Sequence, residues 1–332
     1  MTSPQTMRAL VLNSYKDGKF VETQVPRPEA GPGQVLVRIA ASGVNPIDSK
    51  IRTGEFPHAM PELPAILGTD LAGVVEAVGR GVKAFKVGDE VYGLAGGVRG
   101  VPGSLAQYAA VDADVLAIKP KNISMREAAA IPLVLLTAWE GLVDGARVSA
   151  GQKVLVLGGA GGVGHMAVQI ARARGAEVFA TEAPAKREII ESYGATWIDR
   201  STDVDTYVNT YTGGQGFDAV FDTVGGKLLE QALVAAGMHG HVSSSLAFGP
   251  IDLAPGSLKG VTVTGVYVLL PLLTGKRRTH HGDILRQATA LIEAEKIRVM
   301  VDPQRFDLSN AIGAHEALLG GNVVGKAVID VA

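Results

Sequence analysis

The chain has 332 residues, 19% of them charged, with a formal net charge of -2 and no cysteine. That length exceeds one ordinary core and suits two domains sharing a cleft, while the near-balance of charge and the lack of basic stretches interleaved with aromatics exclude nucleic acid as a partner. Without cysteine there are no disulfides, thiolate nucleophiles or thiolate-ligated zinc sites, and the seven histidines show no HxxxH or His/Glu spacing to replace them: the nearest pairs, His239/His241 and His280/His281, lie in Gly- or Arg-rich surroundings.

The N-terminal MTSPQTMRALVLN lacks a charged segment followed by an apolar one, and the apolar stretches at 128–138 and 261–273 are short and interrupted, so a cytoplasmic protein with no membrane partner is expected. The first third alternates β-branched runs with turn residues: ALVLN, QVLVRIAASGV, LAGVVEAVG and DEVYGL, separated by Gly and Pro. This pattern predicts a β-rich, barrel-like domain. From about residue 150 strands alternate with helices: KVLVL (153–157), EVFAT (177–181), ATWI (195–198), DAVFD (218–222), HVSS (241–244) and VTVTGV (261–266). Such alternation predicts an α/β, doubly wound parallel sheet. The closing GKAVIDV (325–331) reads as a strand able to return to the first domain's sheet. The expected division is 1–124 with 303–332 for the β-rich domain and 125–302 for the doubly wound one.

After its opening lysine KVLVL is continuously apolar, as expected of a central strand buried on both faces, and it runs directly into GGAGGVG. Gly159, Gly161 and Gly164 match G-x-G-x-x-G, and Val163, Met166, Ala167, Ile170 and Ala171 then form one face of a helix opening on the glycines. Strand, turn and helix together identify a dinucleotide site: the backbone turns tightly, approaches the pyrophosphate closely, and aims helix N-terminal N–H groups at anionic oxygens. Glu182, at the end of the next strand, stands where a carboxylate would bond a ribose 2′-OH. Lys186, Arg187 and Arg200 stand where cations would neutralise a 2′-phosphate, or else cover a solvated face, and the residues alone leave NADP(H) against NAD(H) open.

These motifs, with GVNPIDSKIRTG (43–54), LGTDLAGVVEAVG (67–79), VGDEVYG (87–93), LTAWEGL (136–142) and FDAVFDTVGG (217–226), make the chain similar nearly end to end to the quinone oxidoreductase, zeta-crystallin-like branch of the medium-chain dehydrogenase/reductase superfamily. The resemblance implies a Rossmann domain plus a GroES-like partial barrel, hydride transfer from a nicotinamide to a quinone or related conjugated carbonyl, and a homodimer. Zinc-dependent relatives carry a cysteine where this chain has Asn45 and a Gly-His-Glu where it has Gly68-Thr69-Asp70, so the resemblance implies a branch without zinc. It places Asn45 near the nicotinamide, Thr137 at the cofactor, Gly162 and Val163 at the pyrophosphate, Thr223, Val224 and Gly225 on the adenosine side, and Asn322 with Lys326 near the end of the cleft. Lys186 and Arg200 fit NADP-using members and Glu182 departs from them; NADP(H) is favoured. Lys50 stands where many members have tyrosine, and Phe56 where enoyl-thioester reductases carry a proton-donating tyrosine, so Lys50, Tyr92 or solvent is left as donor. The stretch 94–104 is expected to be a mobile wall of the acceptor site, and 272–281 either a second such wall or, the preferred reading, a solvated basic loop. Two alternatives stand beside quinone reduction: an enone or alkenal double-bond reductase, and a non-catalytic nucleotide-binding protein with a crystallin-like or sensing role.

Overall fold

A computed structural model of the chain describes residues 5–331; the first four residues of the N-terminal stretch read above, and Ala332, lie outside the described residues. The chain divides into two compact units, one comprising the residues to Leu133, Leu269–Glu295 and those from Val299, the other Val134–Val268 with Lys296–Arg298.

The first unit opens with β1 (Thr6–Leu12), β2 (Phe20–Pro26), β3 (Gln34–Gly43), α1 (Pro46–Arg52), β4 (Ala65–Ile66), β5 (Asp70–Val78), β6 (Glu90–Leu94), β7 (Tyr108–Asp112), β8 (Leu116–Ile118) and α2 (Met125–Ala129), and α3 (Pro132–Trp139) follows. A small sheet runs β2-β1-β4. β3 is the spine of the larger sheet, antiparallel to β5 on one side and to β7 over its first half. Its sequence QVLVRIAASG leaves Val35, Val37 and Ile39 without exposure on the inner face, the alternation that a half-buried strand requires.

The second unit holds β9 (Lys153–Leu157), α4 (Gly162–Ala173), β10 (Glu177–Glu182), α5 (Arg187–Ser192), β11 (Thr196–Asp199), α6 (Val204–Thr212), β12 (Phe217–Asp222), α7 (Lys227–Ala235), β13 (Ala236–Ser244), α8 (Ala254–Ser257) and β14 (Thr262–Gly265). Every pairing is parallel and the order is β11-β10-β9-β12-β13-β14, the six-stranded doubly wound arrangement. Val154, Leu155 and Val156 of the central strand have no exposure, because α-helices cover both faces. Phe217 anchors one side of this core, its ring 5.4 Å from Phe179 and 6.3 Å from Tyr207.

The chain then returns to the first unit through α9 (Leu270–Thr274), α10 (Arg278–Glu293), β15 (Phe306–Asp307), α11 (Ala311–Leu319) and β16 (Val328–Asp330). β16 pairs antiparallel with the end of β3, so the closing strand does rejoin the first sheet. The sequence reading carried the second domain through 302, whereas α10 groups with the β-rich unit. The reason is chemical: Tyr92 donates from its hydroxyl to Leu285 O at 2.8 Å, and Arg278 Nη1 meets Asp112 Oδ2 at 2.8 Å. The segment 272–281 is accordingly a helix end, a turn and a helix start with His281 buried, not an open loop. The stretch 94–104 closes on itself, Gly97 N donating to Val101 O, with Val98 and Ser104 fully buried. Among the described residues no helix is long and apolar enough to cross a membrane.

Candidate functional site

In the second unit the glycine turn follows β9. Gly158, one residue before the motif as read from the sequence, takes φ +79°, and a Cβ there would stand 2.7 Å from Thr223 Oγ1. It is the residue that makes the turn, and its signal in the sequence is the leading glycine of GGAGG. The three motif glycines then differ in what they need. A Cβ on Gly159 would strike Ala180 and Ile190 at 2.6 and 2.8 Å, and one on Gly164 would lie 2.0 Å from Gly158 O; both are glycine because helix and strand are too close for anything else. A Cβ on Gly161 would meet only Gly158 O, at 3.5 Å. Its missing side chain therefore leaves space outside the fold, where an approaching phosphate needs it.

Gly161 caps α4 in extended conformation, φ -73° and ψ 175°, so the N–H groups of Gly162 and Val163 open the helix without intrahelical acceptors. Met166, Ala167, Ile170 and Ala171 behind them are wholly buried, fixing the helix start against the sheet. A cradle of backbone donors with room above it fits a pyrophosphate.

Glu182 ends β10 with its carboxylate turned back on the turn: Oε2 accepts from Ala160 N at 3.3 Å and Oε1 from Ala183 N at 2.9 Å. It is 7% exposed. Lys186 and Arg200 are exposed beyond the ends of β10 and β11, and Arg200 N donates to Glu182 O, so the three residues weighed for the 2′ position come to one corner. Arg187 is held by Glu191 at 2.8 Å and over the Trp197 ring at 5.2 Å. On the other side of β9, Thr223 Oγ1 donates to Leu157 O at 2.7 Å and ties β12 to β9, and Asp222 accepts from Val224 N and Gly225 N, both at 2.9 Å, and from Ser244 Oγ at 2.6 Å. Asp222, the last residue of β12, is thus the residue that shapes the loop carrying Val224 and Gly225. Thr137 is buried on α3.

In the first unit the structure brings Asn45 and Lys326 together and adds three residues the sequence reading had not joined to them: Asp48, Thr69 and Asp70. Asn45, with no exposure, donates from Nδ2 to Asp70 Oδ2 at 2.8 Å and to Thr69 Oγ1 at 3.1 Å, and its Oδ1 accepts from Lys326 Nζ. Lys326 Nζ also donates to Val44 O at 2.8 Å. Asp48 Oδ2 accepts from Asn45 N at 2.8 Å, and Asp70 Oδ1 from Leu133 N at 2.9 Å. Burial pushes the Asp48 carboxyl up to about 6 and that of Asp70 up to about 7, against the pull of the Lys326 ammonium, which burial lowers in turn. Asn322 is exposed, accepts from Gln304 through its carbonyl, and lies outside this cluster. Lys50 is half-buried on α1 and also stands apart, and Tyr92 spends its hydroxyl on Leu285 and Thr289, where burial drives its ionisation upward.

The positions at which zinc-dependent relatives place metal ligands are held here by an amide, a hydroxyl and a carboxylate around an ammonium. That donor set does not fit zinc, which takes thiolate, imidazole or carboxylate and repels a resident cation. Among the described residues no group of three or more His, Asp or Glu could hold a metal ion.

Residues 31–121 match the family described as Alcohol dehydrogenase GroES-like domain, and residues 162–272 the one described as Zinc-binding dehydrogenase. The chain is 35% identical to a 2-methylene-furan-3-one reductase of Solanum lycopersicum, over 98% of this chain and 79% of that protein. It is 36% identical to a chloroplastic NADPH-dependent alkenal/one oxidoreductase of Arabidopsis thaliana, over 98% and 80%. Among solved structures, an alcohol dehydrogenase superfamily protein from Novosphingobium aromaticivorans shares 50% identity and a TM-score of 0.96 over 98% of this chain and 100% of that one. The quinone oxidoreductase from Coxiella burnetii shares 28% identity and a TM-score of 0.81 over 99% and 100%.

The space around each glycine gives the first expected outcome. Gly161→Ala keeps the unfolding midpoint within about 2 °C of wild type but raises the dinucleotide Kd about tenfold or more, whereas Gly164→Ala destabilises the fold by about 1–3 kcal/mol; calorimetry and fluorescence titration read the two separately. The second concerns pH. Carboxyls raised above the ordinary 3.8 contribute stability that is complete at low pH and lost as pH rises through about 6 and about 7. Lys326, lowered, acts in the opposite sense, so the comparison is with a variant: Asp70→Asn should flatten the fall in urea midpoint between about pH 4 and about pH 7. An unchanged slope would remove Asp70 as its source.

Proposed function

The chain belongs to the medium-chain dehydrogenase/reductase superfamily, and on that premise we propose that it is an NAD(P)H-dependent oxidoreductase passing hydride to a quinone or related conjugated carbonyl without a metal. The observation that carries this reading is the cradle at Gly158–Gly164 in one unit together with a metal-ligand position converted to an ammonium-centred cluster in the other. When bound, the dinucleotide supplies the hydride chemistry. The chain's own work is orientation: α4 offers the N–H groups of Gly162 and Val163 to the pyrophosphate, and the loop at Thr223–Gly225 is stiffened by Asp222. Asn45 is the residue proposed beside the nicotinamide. Lys326, Thr69 and Asp70 hold its amide in one orientation, so Asn45 and Lys326 act as positioning residues rather than as acid or base. A quinone requires no protein acid, because water protonates its reduced oxygens.

A second reading, saturation of the carbon–carbon double bond of an enone or alkenal, is supported by the names of the two relatives at 35 and 36% identity. NADP(H) is favoured over NAD(H) on the exposed Lys186 and Arg200 and on the relative named as NADPH-dependent. Glu182 opposes this, but its carboxylate is already bonded to two backbone N–H groups and turned toward the protein. A homodimer is supported by β14, which among the described residues is an edge strand paired with β13, with Val263 exposed.

Anaerobic oxidation of NADPH and NADH with a panel of quinones and enones tests the whole reading: turnover of quinones is expected, turnover of enones alone selects the second reading, and nucleotide binding without turnover of either rejects both. Elemental analysis of active protein should find no stoichiometric zinc. Glu182→Gln is expected to tighten NADPH binding relative to NADH by about threefold to tenfold, and Lys186→Ala with Arg200→Ala to loosen it by as much; equal changes for the two nucleotides would reject the 2′-phosphate role.

A further inference from the structure

In a doubly wound sheet, ligands lie beyond the carboxyl ends of the strands and cross where the strand order reverses. Here the reversal is at β9, between β10 and β12. Glu182, Lys186 and Arg200 mark the β10 side as the adenosine end, so the reacting end extends over the ends of β12, β13 and β14, all within the second unit, and takes in Thr223–Gly225, which the family resemblance had assigned to the adenosine side.

The side chains at those three ends fall into two groups. Val224, Leu246 and Phe248 are large, apolar and 46, 37 and 52% exposed, a surface suited to an apolar acceptor rather than to water. The two loops that carry them meet, since a Cβ on Gly225 would lie 2.8 Å from Leu246. The polar groups are Thr223, Ser243, Ser244, Asp222 and Tyr267. Thr223 and Ser243 donate to backbone carbonyls, Ser244 donates to Asp222, and Asp222 is an acceptor of backbone and hydroxyl protons. Tyr267 differs in chemistry: a phenol is far more acidic than the alcohols of serine and threonine, and can serve as a general acid. It follows β14 by two residues, its backbone set by Val266 N donating to Ser244 O at 2.8 Å. Its hydroxyl is withdrawn from solvent, and its ring meets the half-exposed Phe248 ring edge-on, centroids 6.2 Å apart and planes at 89°.

We infer that Tyr267 is the acceptor-side proton donor when the substrate is an enone, with the Phe248 ring packed edge-on against its own. The inference rests on the reductase reading above. Hydride from the reduced nicotinamide nucleotide adds to the β-carbon of the enone, and the nucleotide is oxidised. The carbon–carbon π pair shifts to form the enolate. The Tyr267 O–H bond breaks as its proton goes to the enolate oxygen; the phenolate regains a proton from water, and the enol tautomerises in solution to the saturated ketone. A quinone does not call on this step, because its reduced oxyanion is aromatic, stabilised and protonated by water.

Tyr267→Phe, measured beside wild type, tests the assignment. Three results are expected together. Turnover of cyclohexenone falls by about tenfold or more while that of 1,4-benzoquinone stays within about threefold. The Kd for reduced nucleotide, read by fluorescence, is unchanged, which shows an intact fold. The Kd of 4-nitrophenol for the complex with oxidised nucleotide, read by absorbance without turnover, rises about tenfold with loss of the hydrogen bond to an oxyanion. Cyclohexenone turnover equal to wild type overturns the assignment, as does a parallel fall with both acceptors. A wild-type protein inert to both acceptors overturns the reductase reading itself, a different result from an active wild type with an unaffected variant.

Discussion

An ammonium removed from water must be answered from within the protein, and the corner of the first unit around Lys326 is built on that requirement. Lys326 is 2% exposed. Its hydrogens go to Val44 O and to the amide of Asn45, and its charge opposes the rise of two carboxyls, Asp48 and Asp70, that burial would otherwise keep protonated. Taking any one of these ions out of water costs several kcal/mol, and removing a single partner leaves the others uncompensated. The arrangement is therefore all or nothing. It ties together the end of β3, the first turn of α1, the start of β5 and the segment before β16, and it leaves the Asn45 side chain one orientation. A metal ion would impose the same order by coordination; here charge and hydrogen bonds do so with residues that do not leave the protein.

The nucleotide end is organised by space rather than charge. Gly158 turns, Gly159 and Gly164 let helix and strand approach, and Gly161 keeps a volume clear. Glu182 belongs to the same economy of backbone groups, since its carboxylate satisfies Ala160 N and Ala183 N beside the turn. A carboxylate held in that way meets a ribose differently from one free to swing, which is why its identity alone did not decide between the two nucleotides.

What could be read from the sequence follows from the range of the interactions. The strands of the parallel sheet were legible because each is a short apolar run between turn residues, and the glycine turn because strand, turn and helix lie within about twenty consecutive positions. The return of GKAVIDV to the first sheet was legible as a strand with no other unit to join. The cluster was not: Lys326 and Asn45 are 281 positions apart, and nothing local in GKAVIDV says that its lysine is buried. Tyr92 stayed a candidate proton donor for the same reason, its partner Leu285 lying 193 positions away. α10 has the amphipathic look of a helix from either unit, and only its contacts with β8 and the preceding turn assign it.

β3 has neighbours from both ends of the chain, β5 soon after it and β16 at the close. A ribosome releases β3 and β5 early and β16 only after the parallel-sheet unit has emerged in full. The nucleotide-binding unit can thus complete itself as an insertion while Ala41, Ser42 and Gly43 at the end of β3 wait for β16, the first half of that edge being already paired with β7. How long that segment waits during synthesis is set by the length of chain between β5 and β16, and not by the stability of the finished fold.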